Sequence, residues 1–220
     1  MQRDDERNQN QIIRKDARNC FVESKNDCFH IGKAHLEFAA YDTAREQGSR
    51  YTGHVHIYVG MDEFLELTNE ALNGYLHTQM ANVKKHIADT AAPLYESLGG
   101  TPANKLKEPR ADGMSLSRSI KLFVGKKQDY LLRAESGPGE TDAKGLIVPR
   151  YGTKPEQQVS VAMSWRDLTQ LLLMTKTHYE AWLTAQYTRE CAQKPNGNMN
   201  GKVDGSKDGK NVADDTRMVT

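Results

Sequence analysis

The sequence predicts an α+β fold: a β-strand-rich unit used twice, each copy ending in a strand that runs directly into a helix, giving antiparallel sheets packed with two helices. Two stretches carry this prediction. Residues 55–75 read VHIYVGMDEFLELTNEALNGY, and residues 159–182 read VSVAMSWRDLTQLLLMTKTHYEAW. Shifted by 104 positions they hold one register, with Val55 on Val159, Ile57 on Val161, Val59 on Met163, Gly60 on Ser164, Glu63 on Asp167, Leu67 on Leu171 and Tyr75 on Tyr179. In both, alternating apolar residues, the signature of a half-buried strand, give way after Gly60 or Ser164 to spacings of 3 and 4, the signature of an amphipathic helix.

The remaining elements follow in chain order. A strand fits Asn19 to Glu23, and Ala34, Leu36 and Phe38 alternate with His35 and Glu37 as another. The strand Val55 to Val59 then enters the first helix, whose opening turn is acidic, as the helix dipole favours. Met80 to Ile87 prolongs that helix. The Pro- and Gly-rich segment PLYESLGGTPANKLKEPRADGM reads as a short helix and loop. Beyond it, Ile120, Leu122 and Val124 mark a strand, Gly-Lys-Lys a hairpin turn, and Tyr130 to Ala134 the returning strand. SGPGE reads as a second turn and AKGLIVPRYG as a third strand, with Gly137-Pro138-Gly139 and Ala143-Lys144-Gly145 both taken as simple turns. The repeated strand is the fourth. Ser164 with Asp167 three residues on makes a capping box at the start of the second helix.

The 220 residues suffice for one sizeable core. Residues 1–19 and 191–220 are polar or Gly/Asn/Asp/Lys-rich and are expected to be disordered. They flank a single domain at 20–190, with repeat 1 at about 28–90, a connector at 91–114 and repeat 2 at 115–187. No apolar run is long enough for a membrane span and no signal-peptide pattern occurs, so a cytoplasmic protein is expected. Cys20, Cys28 and Cys191 lack CxxC spacing, which argues against a disulfide framework or zinc ribbon.

A duplicated β-rich unit whose copies each end strand-into-helix resembles the Whirly and Pur-alpha proteins. Residues 31–36, IGKAHL, are similar to the Whirly Lys-Gly-Lys-Ala-Ala-Leu strand motif: Gly32, Lys33, Ala34 and Leu36 agree, while Ile31 and His35 depart from it. The QVSVAMSWRDLTQLL segment looks like the last strand and helix start of such a repeat. The pattern spans roughly residues 28–187. The resemblance implies single-stranded nucleic-acid binding and assembly as a homo-oligomer, a dimer or tetramer.

The residue chemistry agrees with that implication. Net charge is only +1, so any basic surface must arise by segregation. Residues 115–154 carry eight Lys or Arg against four Asp or Glu, whereas the helix after Gly60 has Asp62, Glu63, Glu66 and Glu70 and no cation before Lys84. Binding single strands without a base code needs cations along the phosphates and flat side chains beneath the bases. The candidates for phosphate contact are Lys33, His35, His54, His56, Arg118, Lys121, Lys126, Lys127, Arg133, Lys144 and Arg150. The candidates for stacking are Tyr58, Phe123, Tyr130 and Tyr151. The expected function is non-enzymatic binding of single-stranded DNA with little sequence preference, in bacterial DNA metabolism or a mobile element. RNA is an alternative, because phosphate and stacking contacts serve both polymers.

Three other readings of these residues stand beside this one. His54-x-His56, with His30 and His35 on neighbouring strands and Glu37 or Asp42 as a further ligand, has the residue types for zinc. No acid–base motif such as HExxH accompanies it, and no metal or cofactor is expected. No nucleophile motif such as GxSxG occurs, so no enzyme is expected. A helix-mediated scaffold protein would instead use Leu168, Leu171, Leu172 and Tyr179 as its partner surface.

Overall fold

The computed structural model describes residues 9–85 and 92–193. The chain divides into two units, Met1–Thr184 and Ala185–Thr220. The first contains both sheets; the described part of the second is the C-terminal end of the last helix. Among the described residues the fold is α+β, with two antiparallel sheets and three α-helices.

The first sheet, sheet A, runs in chain order: β1 (Gln11–Asp16), β2 (Cys20–Lys25), β3 (Lys33–Tyr41) and β4 (Tyr51–Gly60). β4 passes at Gly60 into α1 (Met61–Leu72). The chain breaks at Asn73–Gly74, where Gly74 takes φ +82, and resumes as α2 (Tyr75–Lys85). Sheet B has β5 (Tyr95–Thr101), β6 (Ser115–Val124), β7 (Tyr130–Thr141), β8 (Ile147–Pro149) and β9 (Gln157–Met163). The long β7 has two partners along its free edge: Tyr130–Ser136 pairs with β9 and Gly139–Thr141 with β8. β9 leads through Ser164 into α3 (Trp165–Gln193).

Four expectations are corrected. Gln11–Asp16 lies within the segment expected to be disordered, yet it forms β1, because Ile12 and Ile13 pack on the core edge and the strand pairs with β2. Within the segment expected to be a short helix and loop, Tyr95–Thr101 is instead β5, an edge strand along β6. Gly137-Pro138-Gly139 is not a turn but the interior of β7, and the reversal comes at Gly145, φ +83. The glycines are there for packing: a Cβ on Gly139 would lie 2.9 Å from Ile147 Cγ2, and one on Gly100 would lie 2.6 Å from the same atom. The second helix continues through Cys191 to Gln193. The rest of the expected disordered ends, residues 1–8 and 194–220, lies outside the described residues, as do Ile87 and the start of the connector.

One core serves both sheets. Leu36, Phe38, Val55, Ile57 and Val59 of sheet A meet Ile120, Leu122, Leu132, Val159 and Val161 of sheet B, with Phe64 and Leu67 of α1 and Leu168, Leu171 and Leu172 of α3. The sheets touch along β4 and β9, where a Cβ on Gly53 would lie 3.3 Å from Val159 Cγ2.

The polar ties between the halves run from each helix to the opposite sheet, so the halves do not simply pair helix on helix. Glu63 of α1 accepts hydrogen bonds from Tyr95 Oη at 2.9 Å and Ser97 Oγ at 3.0 Å, both on β5. Asp167, the residue aligned with Glu63, pairs with Lys15 of β1 at 3.1 Å, and Thr175 Oγ1, which donates to Leu171 O, is hydrogen-bonded to the buried Ser24 Oγ of β2 at 2.7 Å. Ser164 and Asp167 form the reciprocal cap, with Ser164 Oγ donating to Asp167 Oδ2 at 2.6 Å and Asp167 N donating to Ser164 Oγ at 3.2 Å. The aligned tyrosines diverge: Tyr179 packs edge-on against Phe29 at 5.3 Å, whereas Tyr75 follows the helix break and is exposed.

Two variants test this account. Glu63→Ala strands two hydroxyl donors at the junction and lowers the unfolding free energy by about 1.5–3 kcal/mol, measured by urea denaturation. Gly139→Ala forces a methyl group onto Ile147 and costs about 1–3 kcal/mol; unchanged stability there would contradict the close packing of β8 on β7.

Candidate functional site

Alternation along each strand fixes which side chains leave the core, and the two outer sheet faces differ in chemistry. On sheet B, Phe123, Leu131 and Ala162 lie side by side across β6, β7 and β9, opposite in phase to buried Leu122, Leu132 and Val161. They floor an apolar groove of about 500 Å³. Arg133 lies over the Phe123 ring, with its guanidinium carbon 4.8 Å from the centroid. Lys126 and Lys127, both exposed, close the groove at the β6–β7 hairpin. Neither lysine has a carboxylate within ion-pair distance among the described residues.

A second group lies in a cleft of about 520 Å³ reached by both sheets. Lys33 opens β3 on one wall. Arg118 extends the inward row of β6 beyond the core, donates to Thr101 Oγ1 at 2.7 Å, and sits 5.7 Å from the centroid of the Tyr58 ring. Burial pushes the pKa of its guanidinium down, with Tyr58 acting in the opposite sense. Gly99, Gly100 and Leu146 also line it, as does the Glu63 carboxylate, which the hydroxyls of Tyr95 and Ser97 hold. Lys144, Arg150 and Tyr151 are exposed around β8, with Tyr151 95% accessible.

Several candidates have other surroundings than the sequence suggested. Tyr130 is fully buried, because it shares its phase with Leu132 and Ala134, and no base can reach it. Burial pushes its phenol up to about 12. His35 is 4% exposed: Tyr58 stacks on it with ring centroids 4.6 Å apart, and Asp27 holds Nδ1. Lys121 is on the outer face but pairs with Glu135 at 3.2 Å and Glu96 at 3.4 Å, and Arg133 approaches Glu135 at 3.9 Å. The basic segment therefore has its own acids interleaved, and among the candidates the cations without an ion pair between described residues are Lys126 and Lys127 at the hairpin tip, Lys33 and Arg118 in the cleft, and Lys144 and Arg150 around β8.

The outer face of sheet A is a connected polar cluster. Glu37 accepts from His54 Nε2 at 2.5 Å and pairs with Lys25, which also pairs with Glu23 at 3.1 Å. His35 Nε2 and His56 Nδ1 are 2.9 Å apart. Burial alone would raise Glu37, but the hydrogen bonds from Lys25 and His54 outweigh it and hold the carboxyl at about 2. Burial pushes the His56 imidazole down to about 4, against the pull of Glu37.

Leu131, Ala162 and Thr101 were not singled out in the sequence. The first two were available from phase, as neighbours of the buried Leu132 and Val161; Thr101 was hidden because β5 itself was unrecognised. No protein-family model matches the chain, and no curated protein matches it in sequence at a significant level.

These shifts make stability depend on pH. Between about 6.5 and 4 the unfolded chain binds the His56 proton and the folded chain does not. Between about 4.5 and 2 the same holds for Glu37. In both windows the unfolded state carries more protons, so the unfolding free energy falls as pH falls. In metal-free buffer the Tm is expected to decline from pH 6.5 downward, and His56→Asn to flatten the part above pH 4.5. A Tm independent of pH over that range contradicts the neutral, half-buried His56.

Proposed function

We propose that this chain binds single-stranded nucleic acid, single-stranded DNA foremost, through the outer face of sheet B, with little sequence preference and without catalysis. The observation that carries this reading is the groove over Phe123, Leu131 and Ala162, rimmed by Arg133, Lys126 and Lys127. A base needs an aromatic face and an apolar floor, and its phosphates need nearby cations without acidic partners. Stacking on one aromatic side chain contributes about 1–3 kcal/mol per base and tolerates any base. The cleft at Lys33, Tyr58 and Arg118 repeats the combination of ring and cation and offers a second point of contact along a strand.

The element order supports a Whirly/Pur-like relationship and a duplication. Four antiparallel strands and a helix, β1-β2-β3-β4-α1, are followed by β5-β6-β7-β9-α3, with β8 as an extra short strand. The aligned acids Glu63 and Asp167 each reach the first strand of the other half. In this reading the protein works as a homo-oligomer of two or four copies. Leu173 and Met174, about 40% exposed on α3, favour the second reading, a helix-mediated protein partner.

Fluorescence anisotropy with labelled single-stranded DNA, duplex DNA and single-stranded RNA at several salt concentrations tests the proposal. Phe123→Leu keeps apolar volume, removes the aromatic face, and is expected to weaken single-strand binding by about 1–3 kcal/mol. Lys126→Gln with Lys127→Gln is expected to make the slope of log K against log salt shallower by roughly 1.4, the value for two lost phosphate contacts on a single strand. Absence of binding at low salt removes nucleic acid and leaves the α3 surface as the site to pursue.

A further inference from the structure

The outer face of sheet A carries a feature that the nucleic-acid reading does not use. We propose that His35, His56 and Glu37 form a binding site for one divalent first-row transition-metal ion of the zinc type. The sequence pointed to His54 and His56, which alternate on β4. The register of β3 and β4 instead sets Glu37 opposite His56 and turns His35 toward it from two residues along β3.

Three observations carry the proposal. The first is spacing. His35 Nε2 and His56 Nδ1 lie 2.9 Å apart, and one ligand atom from each of the three residues falls within 4.8 Å of the others. Two nitrogens sharing a zinc ion at about 2.1 Å are roughly 3.0–3.4 Å apart, so closing the site needs movements of a few tenths of an ångström between the rings.

The second is support from the surrounding residues. Asp27 holds His35 Nδ1 with its two oxygens at 2.8 and 3.1 Å. A metal-bound imidazole characteristically gives its other N–H to a carboxylate, which fixes the tautomer. With the proton on Nδ1, the His35 Nε2 lone pair points at His56. In the metal-free protein His56 must donate from Nδ1; with an ion bound it carries its proton on Nε2 instead. The neighbouring cluster Asp27, Cys28 and His35 is a poorer site, because it would use the nitrogen that Asp27 already holds and brings only one imidazole.

The third is charge and access. Asp27, Glu23 and Glu37 stand around the histidines with one ammonium, Lys25, among them, while nearby Arg14 is held by Asp16, so carboxylates are in excess there, the complement of a divalent ion. Lys25 bonds one oxygen of Glu37 and His54 the other, and the His54 side chain, 47% exposed, has room to leave that oxygen to the metal. A hollow of about 370 Å³, lined by Glu23, Glu37 and His54 together with Arg14 and Lys25, opens the Glu37 side of the site to solvent. Imidazole donors select zinc, cobalt or nickel over magnesium and calcium.

The test uses the full chain without a histidine tag, stripped with chelator. Zn²⁺ is titrated in competition with a chromophoric chelator, Co²⁺ is followed by its visible absorption, and Tm is recorded with and without Zn²⁺. The expected result is one ion per chain and a Tm that rises with Zn²⁺, since an ion that binds only the folded state stabilises it. His56→Asn and Glu37→Gln are expected to weaken binding at least about 10-fold, and Asp27→Asn by about 10–100-fold as the orienting carboxylate. No stoichiometric uptake overturns the proposal, as does uptake unchanged in both His56→Asn and Glu37→Gln. Uptake lost in Cys28→Ser but kept in His56→Asn also overturns it, moving the ion to the other side of His35. Should His56→Asn fail to fold, Glu37→Gln, which preserves the shape of the side chain, decides.

Discussion

The exchange of helices between the two halves is the constraint on which the rest of the fold depends. α1 follows sheet A in the chain but fastens through Glu63 to β5 of sheet B, and α3 follows sheet B but fastens through Asp167 and Thr175 to β1 and β2 of sheet A. Each sheet thus receives polar ties from the helix of the other half. The apolar side chains obey the same logic, since Leu168, Leu171 and Leu172 share one core with Phe64, Leu67, Leu36 and Ile120. A separated half would expose the face that the other covers and leave hydroxyls such as Tyr95 and Ser97 without their acceptor, at a cost comparable to the whole stability of a small domain. Cooperative folding of residues 11–184 follows from that arrangement.

Because the core takes one side of every strand, the chemistry of the outer faces is set by the alternate residues, and here the two sheets diverge. Sheet B turns out Phe123, Leu131 and Ala162 with Arg133, an apolar strip with a cation above it. Sheet A turns out Glu23, Lys25, Glu37, His54 and His56, which satisfy one another. Similar backbones therefore present one surface with open apolar area and unpaired lysines at its end, and another that is closed by internal ion pairs. Regional net charge misses this difference. Residues 115–154 are basic on paper, yet Glu135 and Glu96 engage Lys121 and Asp129 caps Trp165 N at 2.8 Å.

What was legible in the sequence was the change of period at Gly60 and Ser164, because a strand entering a helix imposes both rhythms within a dozen residues. β5 was illegible for the converse reason. ESLGGT has no apolar alternation and only Thr101 as a β-branched residue, and its Gly100 makes room for Ile147, a residue some 47 positions away in sequence. Gly137-Pro138-Gly139 misled in the same way, since local turn chemistry was outweighed by close packing against β8. β1 was hidden by a polar neighbourhood in which only Ile12 and Ile13 carry apolar area. Tyr130 reads as a stacking side chain by residue type, although its phase with Leu132 and Ala134 points inward. The burial of His35 was beyond the reach of phase, because it is an outward position covered by Tyr58 and Asp27, and only the fold brings those two over it.

Tyr58 connects the two regions that carry free function-bearing groups. One side of its ring stacks on His35, within the histidine cluster, and Arg118 approaches the ring from the cleft. A ring held against a neighbour loses little rotamer freedom when a further group packs on it, so the entropic cost of ordering it at the cleft is already largely met. Any tightening of the His35–His56 contact must also restrict Tyr58, because His35 cannot shift by much with Asp27 holding both edges of its Nδ1 contact and Ala34 and Leu36 buried on either side. The histidine cluster on sheet A and the aromatic wall of the cleft therefore share one ring, Tyr58.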